Sequence, residues 1–344
     1  MNRRQFLQFT LVGIGSSSAC ATSVPTKTDE IFMYNHLNRL KHEDAFQEYL
    51  TIHRPNSRFE FHKINPDNDA EMRNIIIDIR KRKPSLIYTW GTLSTLRIAG
   101  KIEDIENGKG DYITDIPIVF VSVTQPVAVG IVRDLQHPGR NVTGVSHIVP
   151  LHMQIKTMRE YRPFKKLGNI YNSLEPNSVW VRDTMAGMAS KEGFQFISYS
   201  VPLDANKKLQ PEAIPDLLKT LKSEGAEWLY LGPDSYVAGI QRKVVVDVCY
   251  EIGLPIFAAT EGPVLESKAL VGLFVKHQYL GAYAAQKAKL ILEGKKPDSI
   301  PIDTPQKFSL IVNMDAAEHY GLLPPAGMLD LAETARPLTQ GKIK

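Results

Sequence analysis

The stretch Ile116 to His147, IPIVFVSVTQPVAVGIVRDLQHPGRNVTGVSH, constrains the fold more than any other part of the chain. Ile116 to Val121 is a continuous apolar run, which predicts a buried strand. Ser122 to Gln125 is a polar turn. Pro126 stands where a helix can begin, because its fixed φ suits the first helical position. Val127 to Gln136 then predicts that helix. His137-Pro138-Gly139-Arg140-Asn141 makes a tight turn, and Val142 to Ser146 a second short strand. A strand, a polar loop and a helix N-terminus in that order hold ligands in open α/β sheets, at the carboxyl ends of the strands. Taken alone, the same order describes any βα unit.

The rest of the chain repeats the unit. Strands are predicted at Ile31–Tyr34, Phe59–Ile64 and Leu86–Trp90, with helices at Glu43–Leu50 and Asp69–Lys83. The second helix carries Met72, Ile75, Ile76 and Ile79 on one face. Its basic end, Arg80-Lys81-Arg82-Lys83, suits the helix dipole. A second series follows, with helices at Leu151–Tyr161, Ser178–Lys191, Pro211–Ser223 and Tyr236–Ile252. Its strands are Gly168–Asn172, Phe194–Val201, Trp228–Leu231, Pro255–Ala259 and Leu270–Val275. A helix at Leu280–Leu292 ends before Gly294. Lys295 to Thr304 reads as a surface loop, Phe308–Val312 as a strand and Asp315–Tyr320 as a short helix. Alternating strands and helices in two runs predict an α/β protein of two doubly wound, Rossmann-like lobes with a ligand cleft between them. The lobes divide as 30–148 with 277–306, and 149–276 with 307–344.

At 344 residues there is room for about two domains. The charge, 41 basic against 37 acidic residues, is too balanced for a nucleic-acid partner. Residues 1–21 read as a signal peptide. Arg3-Arg4-Gln5-Phe6-Leu7 resembles the twin-arginine export motif, with an ordinary secretory signal as the alternative. Ala19-Cys20-Ala21 has the small-x-small form of soluble release, while Ser17-Ser18-Ala19-Cys20 resembles a lipobox that would lipidate Cys20. Both forms stay open. The other cysteine, Cys249, is then alone, so no disulfide is expected and a small core residue is the simplest role.

No catalytic set stands out. The nine histidines are scattered, and there is no H-E-x-x-H, C-x-x-C, G-x-S-x-G, Walker or G-x-G-x-x-G motif. No metal and no cofactor is expected. What recurs is a polar residue at the carboxyl end of successive strands: Thr92 and Ser94, Thr124 and Gln125, Asn172 and Ser173, Asp234 and Ser235, Thr260 and Glu261. Thr92, Ser173, Asp234 and Ser235 are also good helix caps, and a cap alone explains any one of them. Trp90, Tyr171 and Tyr236 supply apolar wall or core, with Tyr171 inside a strand reading as core.

The order Thr124-Gln125-Pro126-Val127, then Gly130, then His137 to Ser146, resembles the ABC-transporter substrate-binding proteins of the tryptophan/tyrosine-binding type. That family reads D-P-V, G-L-V and R-P-G-G-N-V-T-G-V-S, against which Gln125, Ile131, His137 and Arg140 depart. Gly91-Thr92 resembles its G-T-x-x-A turn in part. Ile311, Asn313, Ala317, Gly321, Leu322 and Pro325 are similar to its C-terminal pattern. The resemblance is weakest at Asn35–Glu48, where the family's G-x-x-x-G-L helix is missing.

The resemblance implies a type I periplasmic binding protein, exported, monomeric and working with an inner-membrane permease. It would close on a small polar ligand, an amino acid and in the family an aromatic one. The carboxylate of an amino acid suits backbone N–H groups and hydroxyls at a helix N-terminus, here Thr92 to Ser94 or Thr124, with Gly91 in the turn before it. Its ammonium suits Asp234 or Glu261. The rivals are an exported α/β enzyme and a repressor effector domain; against the latter, no DNA-binding helix pair precedes the first lobe.

Overall fold

The computed structural model describes residues 28–338. The expected signal peptide and Cys20 lie outside them. Five parallel strands form the first sheet: β1 (Asp29–Asn35), β2 (Ser57–Lys63), β3 (Leu86–Trp90), β4 (Ile118–Val121) and β5 (Val142–Val145), in the order β2-β1-β3-β4-β5. Helices α1 (Lys41–His53), α2 (Asp69–Arg82), α3 (Gly91–Ala99) and α4 (Ile102–Glu106) connect them.

The second sheet has seven strands: β6 (Lys166–Tyr171), β7 (Gln195–Ser200), β8 (Trp228–Leu231), β9 (Ile256–Ala258), β10 (Val271–Phe274), β11 (Ser309–Asn313) and β12 (Glu333–Ala335). Its order is β12-β11-β10-β9-β8-β6-β7, with β11 antiparallel to β10 and the other pairs parallel. Its helices are α5 (Leu151–Tyr161), α6 (Pro176–Glu192), α7 (Ile214–Ser223), α8 (Arg242–Glu251) and α9 (Glu261–Leu265). Three more follow, α10 (His277–Leu292), α11 (Met314–Tyr320) and α12 (Ala326–Leu329). The first five strands of each sheet therefore share one order, 2-1-3-4-5, which opens a crevice at the carboxyl ends.

Both faces of each sheet are covered, as parallel sheets require. Along β1, Phe32 and Tyr34 bury into a cluster with Ile76 and Ile79 of α2, while Ile31 and Met33 bury opposite, with Ala284, Ala285 and Ala288 of α10. Along β8, Trp228 and Tyr230 face one core and Leu229 and Leu231 the other. Period-2 alternation thus survives inside runs that are apolar throughout. Cys249 sits fully buried in the second of these cores, where burial pushes its thiol pKa up.

Several expectations need correction. Val127–Gln136 is no helix: after one turn at Pro126, Gly130 takes φ +78° and the chain leaves the helical path. Asp134 then accepts the amides of Gln136 and His137, and Arg140 binds the carbonyls of Ala99, Gly100 and Ile131. Tyr236–Ile252 is broken, a π-helical turn at Ser235–Ile240 preceding α8. Lys295–Thr304 is more than a surface loop. Ile300 and Ile302 are buried, the Thr143 hydroxyl donates to the Ile300 carbonyl at 2.7 Å, and Asp303 pairs beside Val145.

Candidate functional site

The chain crosses between the sheets after β5, after β10 and again before β11, so the carboxyl ends of both sheets face one cleft. Its empty space, counted together with the open solvent at its entrance, is about 720 Å³. The first sheet contributes His36, Leu37, Leu40 and His42 after β1, Trp90 to Leu93 after β3, Ser122 and Thr124 after β4, and His147 after β5. The second contributes Glu175 and Asn177 after β6, Pro233 to Ser235 with Ala238, Gly239 and Arg242 after β8, Thr260, Gly262 and Pro263 after β9, and His277 after β10.

Of the residues expected from sequence, Trp90, Gly91, Thr92, Thr124, Asp234, Ser235 and Thr260 line this cleft. Ser94, Gln125, Asn172, Ser173, Tyr236 and Glu261 do not. Three of the six stand directly behind the lining. Ser94 holds the His36 ring at 2.8 Å. The Asn172 amide donates to Asp234 at 2.7 Å. Glu261 accepts the His277 amide at 2.8 Å and pairs with Lys41 at 3.0 Å.

The expected ammonium partners are engaged elsewhere. Asp234 Oδ1 accepts the amides of Tyr236 and Val237 at 2.9 and 2.7 Å, and Oδ2 accepts the Asn172 amide and the Ser178 hydroxyl at 2.7 and 2.8 Å. Four donors fill a carboxylate's lone pairs. Glu175, which sequence reading missed, sits beside it and accepts the amides of Ser235 and Tyr236, the Ser235 hydroxyl and the side-chain amides of Asn172 and Asn177. Burial, and then the charge of Asp234, push the Glu175 pKa up to about 7. Burial also raises that of Asp234, against the pull of its donors. For Glu261, burial works against the charge, but His277 and Lys41 outweigh it and leave its pKa below the usual carboxylate range.

Four histidines, His36, His42, His147 and His277, meet here. Burial holds His36 and His147 down at about 4 and puts His42 well below its ordinary value. Burial lowers His277 too, against the pull of Glu261. His42 and His277 stack, and both His36 and His42 lie against Trp90, with centroids 5.1 and 6.0 Å apart. Among the described residues, no three His, Cys, Asp or Glu side chains gather into a metal-binding group. His36 Nε2, His42 Nδ1 and Trp90 Nε1 are buried with no hydrogen-bond partner. The one clue to His36 and His42 is their place just past β1, at the carboxyl end of a predicted strand.

The N-terminus of α3 meets the cleft at Gly91, Thr92 and Leu93, and no side chain caps it. Gly91 has φ +76°, a left-handed backbone that a side chain would strain, and its α-carbon faces the His36 ring. Such a helix end holds a carboxylate well.

Residues 57–335 match the family described as ABC transporter substrate binding protein. A curated tyrosine-binding protein of Clostridioides difficile (strain R20291) is 31% identical over 202 residues, which span 58% of this chain and 56% of that relative. The match thus covers little more than half of that relative's length. The structure of an ABC domain in complex with L-Trp, from Streptococcus pneumonia, superposes with a TM-score of 0.74 at 20% identity, over 89% of this chain and 100% of the other. The ligand-free, open structure of a substrate binding protein with adhesive properties, from Clostridium difficile, gives 0.63 at 25% identity over 90% and 99%. Among the described residues, no helix is long and apolar enough to cross a membrane. A family match that runs from β2 to the last strand, on two doubly wound lobes, settles the assignment: this chain belongs to the ABC transporter substrate binding proteins and has the type I periplasmic-binding-protein fold.

Proposed function

We propose that the protein is the extracytoplasmic solute-binding component of an ABC import system. It closes its lobes on a small solute with a flat aromatic ring and a carboxylate, and hands it unchanged to an inner-membrane permease. The observation that carries this reading is one wall of the cleft, where Trp90 and His36 lie beside the uncapped N-terminus of α3. The ring would lie on the first pair and the carboxylate on the second. The tyrosine and tryptophan in the names of two similar proteins carry both groups. The lobes are 30–148 with 277–306, and 149–276 with 307–344, each of the three crossings serving as a hinge strand. Export through Arg3-Arg4, with or without lipid on Cys20, and a monomeric state belong to the same reading.

Native mass spectrometry of the purified protein, followed by identification of any released small molecule, tests it. Recovery of an unchanged aromatic acid, together with a smaller radius of gyration on its return, is the expected result. Chemical turnover of that molecule would favour the exported-enzyme alternative.

A further inference from the structure

We propose that Gly239 sets the width to which the cleft closes, and with it the size of solute held: Leu37 of the opposite sheet comes to rest on its bare α-carbon. This deepens the function proposed above and rests on its closure of the lobes.

Leu37 follows β1 of the first sheet and Gly239 follows β8 of the second, and both line the cleft. A Cβ at Gly239 would stand 3.4 Å from Leu37 Cδ1, and beyond its chain neighbours and its own turn no other atom of the described residues comes within 4 Å. The first neighbour a side chain would meet there thus belongs to the other sheet. Gly239 is not among the glycines with positive φ, so its backbone accepts any residue. What the missing side chain supplies is room for Leu37.

Both partners are held from behind. The Leu37 amide donates to Asn35 Oδ1 at 2.8 Å, and the fully buried Asn35 donates in turn to Glu43 at 3.0 Å. The ring of His36, next in the chain, is held by Ser94. Gly239 lies in the π-helical turn Ser235–Ile240, a type of turn that recurs at functional sites. Glu175 accepts the amides of Ser235 and Tyr236 there, and Asp234 those of Tyr236 and Val237. The Gln241 amide closes the turn on the Tyr236 carbonyl at 2.7 Å. Two packed walls fixed in this way stop the motion that brings them together, because packed atoms hardly compress. The other link between the sheets, Lys41 with Glu261, sets no such width: Lys41 is long and 55% exposed, and yields by rotation.

Calorimetry and small-angle scattering with L-tryptophan and L-tyrosine decide this. Gly239→Ala puts a methyl in ordinary contact with Leu37, and should bind within about threefold of the wild type. Gly239→Leu wedges the two walls apart and should bind at least about tenfold more weakly. Its saturated form should keep a larger radius of gyration than the saturated wild type. Its melting temperature should not fall, since leucine favours a helical turn over glycine. Adding Leu37→Ala to Gly239→Leu should restore most of the affinity, which no general loss of structure would allow. Wild-type affinity and compaction in Gly239→Leu overturn the inference and leave the proposed function standing, and so does a loss that Leu37→Ala does not relieve. Binding of neither probe by the wild type overturns the aromatic solute of that function and the inference with it. Should Gly239→Leu fail to fold, Leu37→Trp adds the bulk from the other side with Gly239 intact, and is read in the same way.

Discussion

The imidazoles of His42 and His277 stack with their centroids 4.0 Å apart and their planes 29° apart, one in the first turn of α1 and the other at the start of α10. Gly281, one turn beyond His277, makes the approach possible. A Cβ there would overlap the His42 carbonyl, which is backbone and cannot swing away. Gly281→Ala therefore sets two effects against each other. Helix propensity favours Ala by about 1 kcal/mol. Overpacking a fixed backbone costs about 1–3 kcal/mol. The second should win, and urea unfolding should show a less stable protein. A more stable variant would mean that α1 and α10 do not cross this closely.

The lobes were legible because apolar runs such as Leu86-Ile87-Tyr88-Thr89-Trp90 stand between polar turns, and buried parallel strands read that way. Loops such as Gly232-Pro233-Asp234-Ser235 were legible as cleft lining for the same reason: they follow strands. Which side chains in them stay free was not. Asp234 looks the same in sequence whether it caps a turn or awaits a ligand, and its four donors come from the residue just past β6, from α6 and from the turn after β8. His36 and His42 flank a segment without periodicity, so nothing in the sequence brings them to Trp90. The false helix at Val127–Gln136 failed at Gly130, whose positive φ is a property of the folded loop.

Asp234 yields a test of that occupancy. At an ordinary N-cap, Asn serves almost as well as Asp, since one side-chain oxygen suffices. Here both oxygens accept, so the amide group of a substituted Asn would face two donors whichever way it turned. Relief of repulsion with Glu175 does not make up for donors left buried and unpaired. Asp234→Asn should cost roughly 1–3 kcal/mol in a denaturation experiment. A variant as stable as the wild type would show that one oxygen is enough.

His147 and Glu175 should tilt stability in opposite directions with pH. The His147 pKa falls from 6.5 unfolded to about 4 in the fold, mainly through burial. Between those values the unfolded chain holds more protons, so this group's contribution is complete above 6.5 and is lost as pH falls towards 4. Relative to wild type, His147→Gln should gain stability on acidification through that window, at up to about 1.4 kcal/mol per pH unit. The Glu175 pKa rises from 4.5 to about 7. Its contribution is complete below 4.5 and is lost as pH rises to 7, so Glu175→Gln should gain on the wild type in that direction. Comparison with the wild type cancels His36; Asp234 acts on Glu175, and His277 and His42 interact with His147, so each difference reads the substituted group together with those neighbours. Parallel melting curves for variant and wild type across pH would refute either assignment.

Lys41 and Glu261 form an ion pair at 3.0 Å between the helix that follows β1 and the one that follows β9, and so link an element of the first sheet to one of the second. Lys41 is 55% exposed and Glu261 only 4%. An exposed end limits the pair to about 0–1 kcal/mol, so Lys41→Gln should change solute affinity by less than about fivefold. Charge reversal is a different matter. Lys41→Glu puts two carboxylates where an ion pair stood, and Glu261, fixed by the His277 amide, cannot turn away. The population should shift to the open form. Small-angle scattering without solute should then give a larger radius of gyration for Lys41→Glu than for Lys41→Gln, with the gap narrowing as salt screens the repulsion. Identical radii at low salt would show that this pair plays no part in holding the lobes together.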